Sequence, residues 1–265
     1  MRLPPELNYL QPRVYPDLVR IGSFCDGGYL VPRSALSGLD AVLSFGVSVD
    51  WNFEKQLRDM RPGIDVHCYD HTVSAWLFAK SFAKGILNLL QGRGHLPEIA
   101  RRIGVWRDYP RFFRERTVHF RERVFNRDQH ENDATIDRIF ARIPGRRHVL
   151  VKADIEGGEY RIIPDLLRYV EVIDVLVVEF HDTDPLRLVF ERQVGLLLEH
   201  FAVAHLHGNN YGGRSVDGLP DALEMTFVNK RLGVPTERRD RLPIPALDSP
   251  CDPGSAEMDL QFSPN

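Results

Sequence analysis

Short apolar runs alternate along this chain with stretches of helical period. The runs Ala41-Val42-Leu43-Ser44-Phe45-Gly46, His148-Val149-Leu150-Val151-Lys152-Ala153 and Val175-Leu176-Val177-Val178-Glu179-Phe180 are short, β-branched and bounded by polar residues. Strands buried on both faces of a parallel sheet have this pattern. Ile64 to Tyr69 reads as a further strand. Between these runs, Asp50 to Met60 predicts a helix with Asp50 as its cap and Phe53, Leu57 and Met60 on one face. Glu159 to Val170 places Ile162, Ile163, Leu166 and Leu167 at helical spacing, and Pro185 to His200 does the same with Leu188, Val189, Leu196 and Leu197. Alternation of this kind predicts βαβ units in an α/β, doubly wound, mostly parallel sheet. Phe201 to His207 and Ala222 to Asn229 have no helix between them, so they predict a closing antiparallel pair.

Two segments break the rhythm. Residues 73–115 read as a helical insertion, and from Lys84 to Arg127 the chain carries an excess of seven positive charges. Residues 233–265, rich in Pro, Asp and Ser, read as a loosely packed extension, which leaves a single domain over residues 1–232. The whole chain is close to neutral, with a net charge of −3. No run approaches the roughly 18 apolar residues of a membrane-spanning helix, and the first residues lack the apolar core of a secretory signal. Cys25, Cys68 and Cys251 are scattered and free of CxxC spacing, which suits reduced thiols in a cytoplasmic protein.

In open α/β sheets ligands bind beyond the carboxyl ends of the strands, so the residues just past each strand are the candidates. Gly46-Val47-Ser48-Val49-Asp50 follows the first run, where a glycine admits close backbone approach and a helix start offers free amides. An ordinary strand-to-helix turn looks the same. Asp70, 24 positions beyond Gly46, stands where an acid accepts from ribose hydroxyls in nucleotide-binding folds, or where it merely caps a turn. Asp154-Ile155-Glu156-Gly157-Gly158-Glu159 gathers three carboxylates, which repel unless a cationic ligand group or a divalent metal sits among them. Glu179 and His181 share a side of their strand, and an imidazole beside a carboxylate can serve as a general base or simply sit hydrogen-bonded in a core. Beyond the sixth run His205 and His207 share a face near Asn209 and Asn210. Asp154, His181 and His207 are therefore the candidate metal ligands, although neither a thiol nor an HExxH helix accompanies them.

Asp26-Gly27-Gly28-Tyr29, the run LSFG at 43–46 with Asp50 and Phe53-Glu54, KADIEGGE at 152–159, and EFH at 179–181 together resemble the FkbM-like methyltransferases. The resemblance covers about residues 17–230 and implies a class I, Rossmann-like methyltransferase fold of seven strands in the order 3-2-1-4-5-7-6. It implies S-adenosylmethionine as methyl donor and O-methylation of a sugar or other small metabolite. Gly46, with Ser48 and Asp50 after it, falls in the donor loop, Asp70 at the ribose acid, and Asp154 near the reactive centre. Glu156, Glu179 and His181 follow as pocket residues. On this reading His181, Asp154 and His207 are the candidate catalytic groups. The insertion departs from a minimal member of the family and, by its charge, suits an anionic or phosphorylated acceptor. Two alternatives remain. One is a non-catalytic module that binds RNA or phosphate-rich ligands through the basic insertion, although arginine-rich helices more often form a solvated face. The other is a nicotinamide oxidoreductase, which the missing GxGxxG and the antiparallel last strand disfavour.

Overall fold

The computed structural model describes residues 2–74 and 96–263, with residues 80, 83 and 87 between them. A hairpin comes first, β1 (Leu18–Gly22) and β2 (Gly28–Pro32). The main sheet then takes seven strands: β3 (Ala41–Phe45), β4 (Asp65–Tyr69), β5 (Thr117–Phe120), β8 (Val149–Ala153), β9 (Ile173–Phe180), β10 (Phe201–Gly208) and β11 (Leu223–Asn229). Two short strands, β6 (Arg123–Val124) and β7 (Asp133–Ala134), pair outside it. From one edge to the other the order is β5-β4-β3-β8-β9-β11-β10. Only β11 runs against its neighbours. This is a doubly wound, Rossmann-like α/β fold in the strand order that the methyltransferase resemblance implies, with chain order reversing between β3 and β8.

Strict alternation explains why these strands read as unbroken apolar runs. Leu43, Val151 and Val178 enter the core on one face, while Val42, Leu150 and Val177 enter the core on the other. Helices α3 (Ile136–Ala141), α4 (Glu159–Leu166) and α5 (Arg187–His200) cover the first face. The β1–β2 hairpin, α1 (Asn52–Met60) and the end of α2 (Leu96–Phe112) cover the second.

Two expectations shift. Helix α1 begins at Asn52, and Asp50 acts one step outside it, its carboxylate accepting the Asn52 amide at 2.9 Å. The extension is packed rather than loose: Leu242, Cys251, Leu260 and Phe262 are buried, and β12 (Arg241–Leu242) pairs with β13 (Leu260–Gln261). Its apolar residues are too widely spaced to show a period, yet Leu242, Leu260 and Phe262 join the core of the first sheet face. Of the insertion expected over 73–115, residues 75–79, 81–82, 84–86 and 88–95 lie outside the described residues, while α2 and the segment that leads from it into β5 are described.

Candidate active site

The carboxyl ends of β3, β4 and β8 open into one cleft of about 540 Å³. Gly46, Ser48, Asp70, Asp154, Glu156 and Gly157 line it. The loops after β3 and β8 are stitched together, with the Asp154 amide donating to the Phe45 carbonyl at 3.0 Å. Gly46 has φ +76°, and a Cβ there would lie 1.7 Å from the Asp154 carbonyl oxygen. Glycine is thus required at 46 both by conformation and by space. Gly157, at φ +89°, has nothing within 4 Å of a Cβ position and opens on free volume.

Asp70 closes the floor. One carboxylate oxygen accepts the Ser48 amide at 2.8 Å, and the other accepts the Thr72 amide at 2.8 Å and hydroxyl at 2.6 Å. Burial alone would raise this carboxyl, but those three bonds outweigh it and hold the pKa below the ordinary value. A carboxylate offers about four acceptor positions, so these three bonds leave about one unused. On the opposite wall Arg123 lies over the Phe125 ring at 4.4 Å, and Asp133 holds it through bonds of 2.8 and 3.1 Å. Asp50 is outside this lining and accepts the Ser23 hydroxyl instead.

Beyond Asp154 the character changes to buried charge. Lys152, on β8, donates to the Gly46 carbonyl at 2.9 Å and sits 3.5 Å from Asp154. Burial would lower this ammonium, yet Asp154, Glu54 and Glu179 together raise it. The Tyr29 hydroxyl of the hairpin reaches Asp154 at 3.4 Å. His181 is ringed by acids: Nδ1 is 3.3 Å from Glu159, and Nε2 is 3.7 Å from Glu156, 3.8 Å from Glu179 and 4.0 Å from Asp154. Burial opposes its charge, but the Glu159, Glu179 and Asp154 carboxylates overcome that and push the imidazole up to about 9. Glu179 stands directly across from Glu224 of β11, and burial, foremost, with the Asp154 and Glu224 carboxylates pushes it up to about 8. Asn209 donates to Glu179 at 2.8 Å.

The structure therefore gathers Gly46, Ser48, Asp70, Asp154 and Glu156 on one cleft and brings His181 to its edge through Asp154 and Glu156. Of the candidate metal ligands, Asp154 and His181 lie together, while His207 does not join them. His207 is buried and pairs through Nδ1 with Glu224 at 2.8 Å and through Nε2 with Glu257 at 3.1 Å. Sequence reasoning missed Lys152 and Glu224 as participants. Both are charged residues inside otherwise apolar strands, and that interruption is the signal that marks them.

No family model matches the chain, and no curated protein is similar to it. Among solved structures it is similar to the precorrin-6y C5,15-methyltransferase of Geobacter metallireducens GS-15, at 12% identity and TM-score 0.34 over 74% of this chain and 85% of that one. It is also similar to the plantazolicin methyltransferase BpumL in complex with SAH, at 9% identity and TM-score 0.34 over 71% of this chain and 75% of that one.

Proposed function

We propose that the chain is an S-adenosylmethionine-dependent methyltransferase of FkbM-like type that methylates a hydroxyl on a small acceptor such as a sugar. The observation that carries this reading is the cleft at the reversal of chain order, with Gly46, Asp70 and Asp154 at the ends of three adjacent parallel strands. When bound, the donor supplies an electrophilic methyl on a positively charged sulfonium. The residues suit such a ligand. Asp70 keeps an acceptor position for a ribose hydroxyl, Gly46 and Gly157 keep backbone open to it, and Asp154 and Glu156 present carboxylates to the cleft.

Asp154 and His181 stand at the ends of neighbouring strands and face one another, so an acceptor hydroxyl held between them can give its proton to the imidazole. That transfer requires the neutral imidazole, which the surrounding carboxylates make scarce at neutral pH. Glu159 lies 3.3 Å from Nδ1 and favours the charged ring. Positioning contributes the remainder of the acceleration. A second cleft of about 530 Å³, lined by Trp106, Arg107, Tyr109, Arg111 and Arg121, supports an anionic acceptor or, in the competing reading, a phosphate-rich polymer.

Calorimetric titration with S-adenosylhomocysteine tests the donor assignment. Binding is expected in the wild type and at least about tenfold weaker in Asp70→Ala, because a charge-assisted contact is lost. Equal affinity in both proteins rejects the placement of the ribose on Asp70. RNA binding that falls steeply with salt, in a protein with no affinity for S-adenosylhomocysteine, favours the competing reading.

A further inference from the structure

Beside the cleft, and independent of the methyl-transfer reading, lies a second convergence of polar side chains. His207 of β10, Glu224 of β11 and Cys251 of the extension are all buried, and one donor atom from each lies within 4.8 Å of the other two. Nδ1 of His207 is 2.8 Å from one Glu224 oxygen, the other Glu224 oxygen is 3.6 Å from Sγ of Cys251, and Sγ is 4.0 Å from Nδ1. We propose that His207, Glu224 and Cys251 form a zinc site that clamps the C-terminal extension onto the β10–β11 pair.

Three arguments support it. Tetrahedral zinc with nitrogen, oxygen and sulfur ligands places their donor atoms roughly 3.3–3.7 Å apart, as follows from bond lengths of about 2.0–2.3 Å. The separations here bracket that range, so small rotamer adjustments suffice. The ligand set mixes one soft sulfur, one imidazole and one carboxylate, which suits zinc and not magnesium or calcium. The second nitrogen of His207 is also bound as a metal-ligating histidine requires. Nε2 lies 3.1 Å from Glu257, and the Met258 amide in turn anchors that carboxylate at 2.9 Å.

Cys251 and Glu257 both belong to the extension, so the ion would gather a ligand and its supporting carboxylate from one segment. Nearby, Asp248 of the same segment pairs with His205 at 3.1 Å, in register with the docking. Asp26 and Glu179 have carboxylate oxygens within 4.8 Å of one of Glu224. Coordination sends the Cys251 thiol proton and the proton held between Nδ1 and Glu224 to solvent.

The test uses the full chain. After zinc loading and dialysis, elemental analysis is expected to find one zinc per wild-type chain, and cobalt loading is expected to produce thiolate-to-cobalt charge-transfer absorption. Both signals are expected to vanish in Cys251→Ser and to persist in a Cys25→Ser, Cys68→Ser double variant. Limited proteolysis should cut the extension faster after chelation, at sites between residues 233 and 265. Folded wild-type protein that keeps less than about a tenth of an equivalent of zinc overturns the site, as does a charge-transfer band unchanged in Cys251→Ser. If Cys251→Ser fails to fold, the double variant decides alone: loss of the cobalt band there assigns the metal to Cys25 or Cys68 and overturns the proposal.

Discussion

The two halves of the site are built on opposite terms. Along β3, β4 and the loop after β8, backbone does the shaping: glycines at positive φ open the cleft, and Asp70 is held rigidly by amides and a hydroxyl. Along β9, β10 and β11, side-chain charge does the shaping, with Glu179 facing Glu224 across the strands and His181 ringed by four carboxylates. Like charges placed directly opposite on adjacent strands oppose folding. A fold keeps them only where neighbouring cations, bound ligands or shared protons offset the repulsion. One half therefore recognises shape, while the other holds electrostatic potential in reserve.

Removing the imidazole should separate the halves most sharply. His181→Ala is expected to lower turnover by about two to four orders of magnitude while leaving affinity for S-adenosylhomocysteine within a few-fold. In the wild type the rate should rise with pH through about 9, since the raised imidazole must lose its proton before it can accept one. A flat pH profile, or full turnover in the variant, removes the base from His181 and leaves positioning to carry the reaction.

Gly46→Ala strikes the other half. A Cβ placed 1.7 Å from the Asp154 carbonyl, on a left-handed backbone, should cost about 3 kcal/mol of stability from strain and overpacking together. Denaturant melts read this directly, and an unchanged midpoint shows that the two loops are free to separate.

The smallest effect concerns the cleft wall. Burial would raise the Asp133 carboxyl, but bonds from Arg123, foremost, and from the Gln129 and His130 amides hold it down at about 2. Because the folded value is depressed, its stabilisation is present above about 4, the unfolded value, and is lost as pH falls through about 2. Asp133→Asn should therefore be less stable than the wild type by about 1–2 kcal/mol at neutral pH, with the gap closing in acid. A gap that is constant with pH assigns the loss to packing instead.

The same division explains what could be read from the sequence. The strands β3, β4, β8 and β9 announce themselves because burial on both faces forces local apolar runs, and Gly46, Asp70 and Asp154 sit one residue beyond three of them. Position along the chain was enough. Glu224 and Cys251 acquire meaning only from neighbours far away in sequence, Glu179 at a cross-strand position and His207 at 44 residues' distance. No local period encodes such pairings. The extension was misjudged for the same reason, since isolated apolar residues such as Leu260 and Phe262 reveal their burial only once the sheet is assembled.

Lys152 sets how the site handles charge through a reaction cycle. On the proposed reading, turnover converts a cationic sulfonium into a neutral thioether, so the occupant of the cleft loses one unit of charge. A cleft lined by Asp70, Asp154 and Glu156 holds the cationic form more firmly than the neutral one, which favours exchange of spent cofactor for fresh. The ammonium of Lys152, 3.5 Å from Asp154, offsets part of that field without cancelling it. Discrimination between the two forms is thereby preserved, while the grip on the charged one stays weak enough for release.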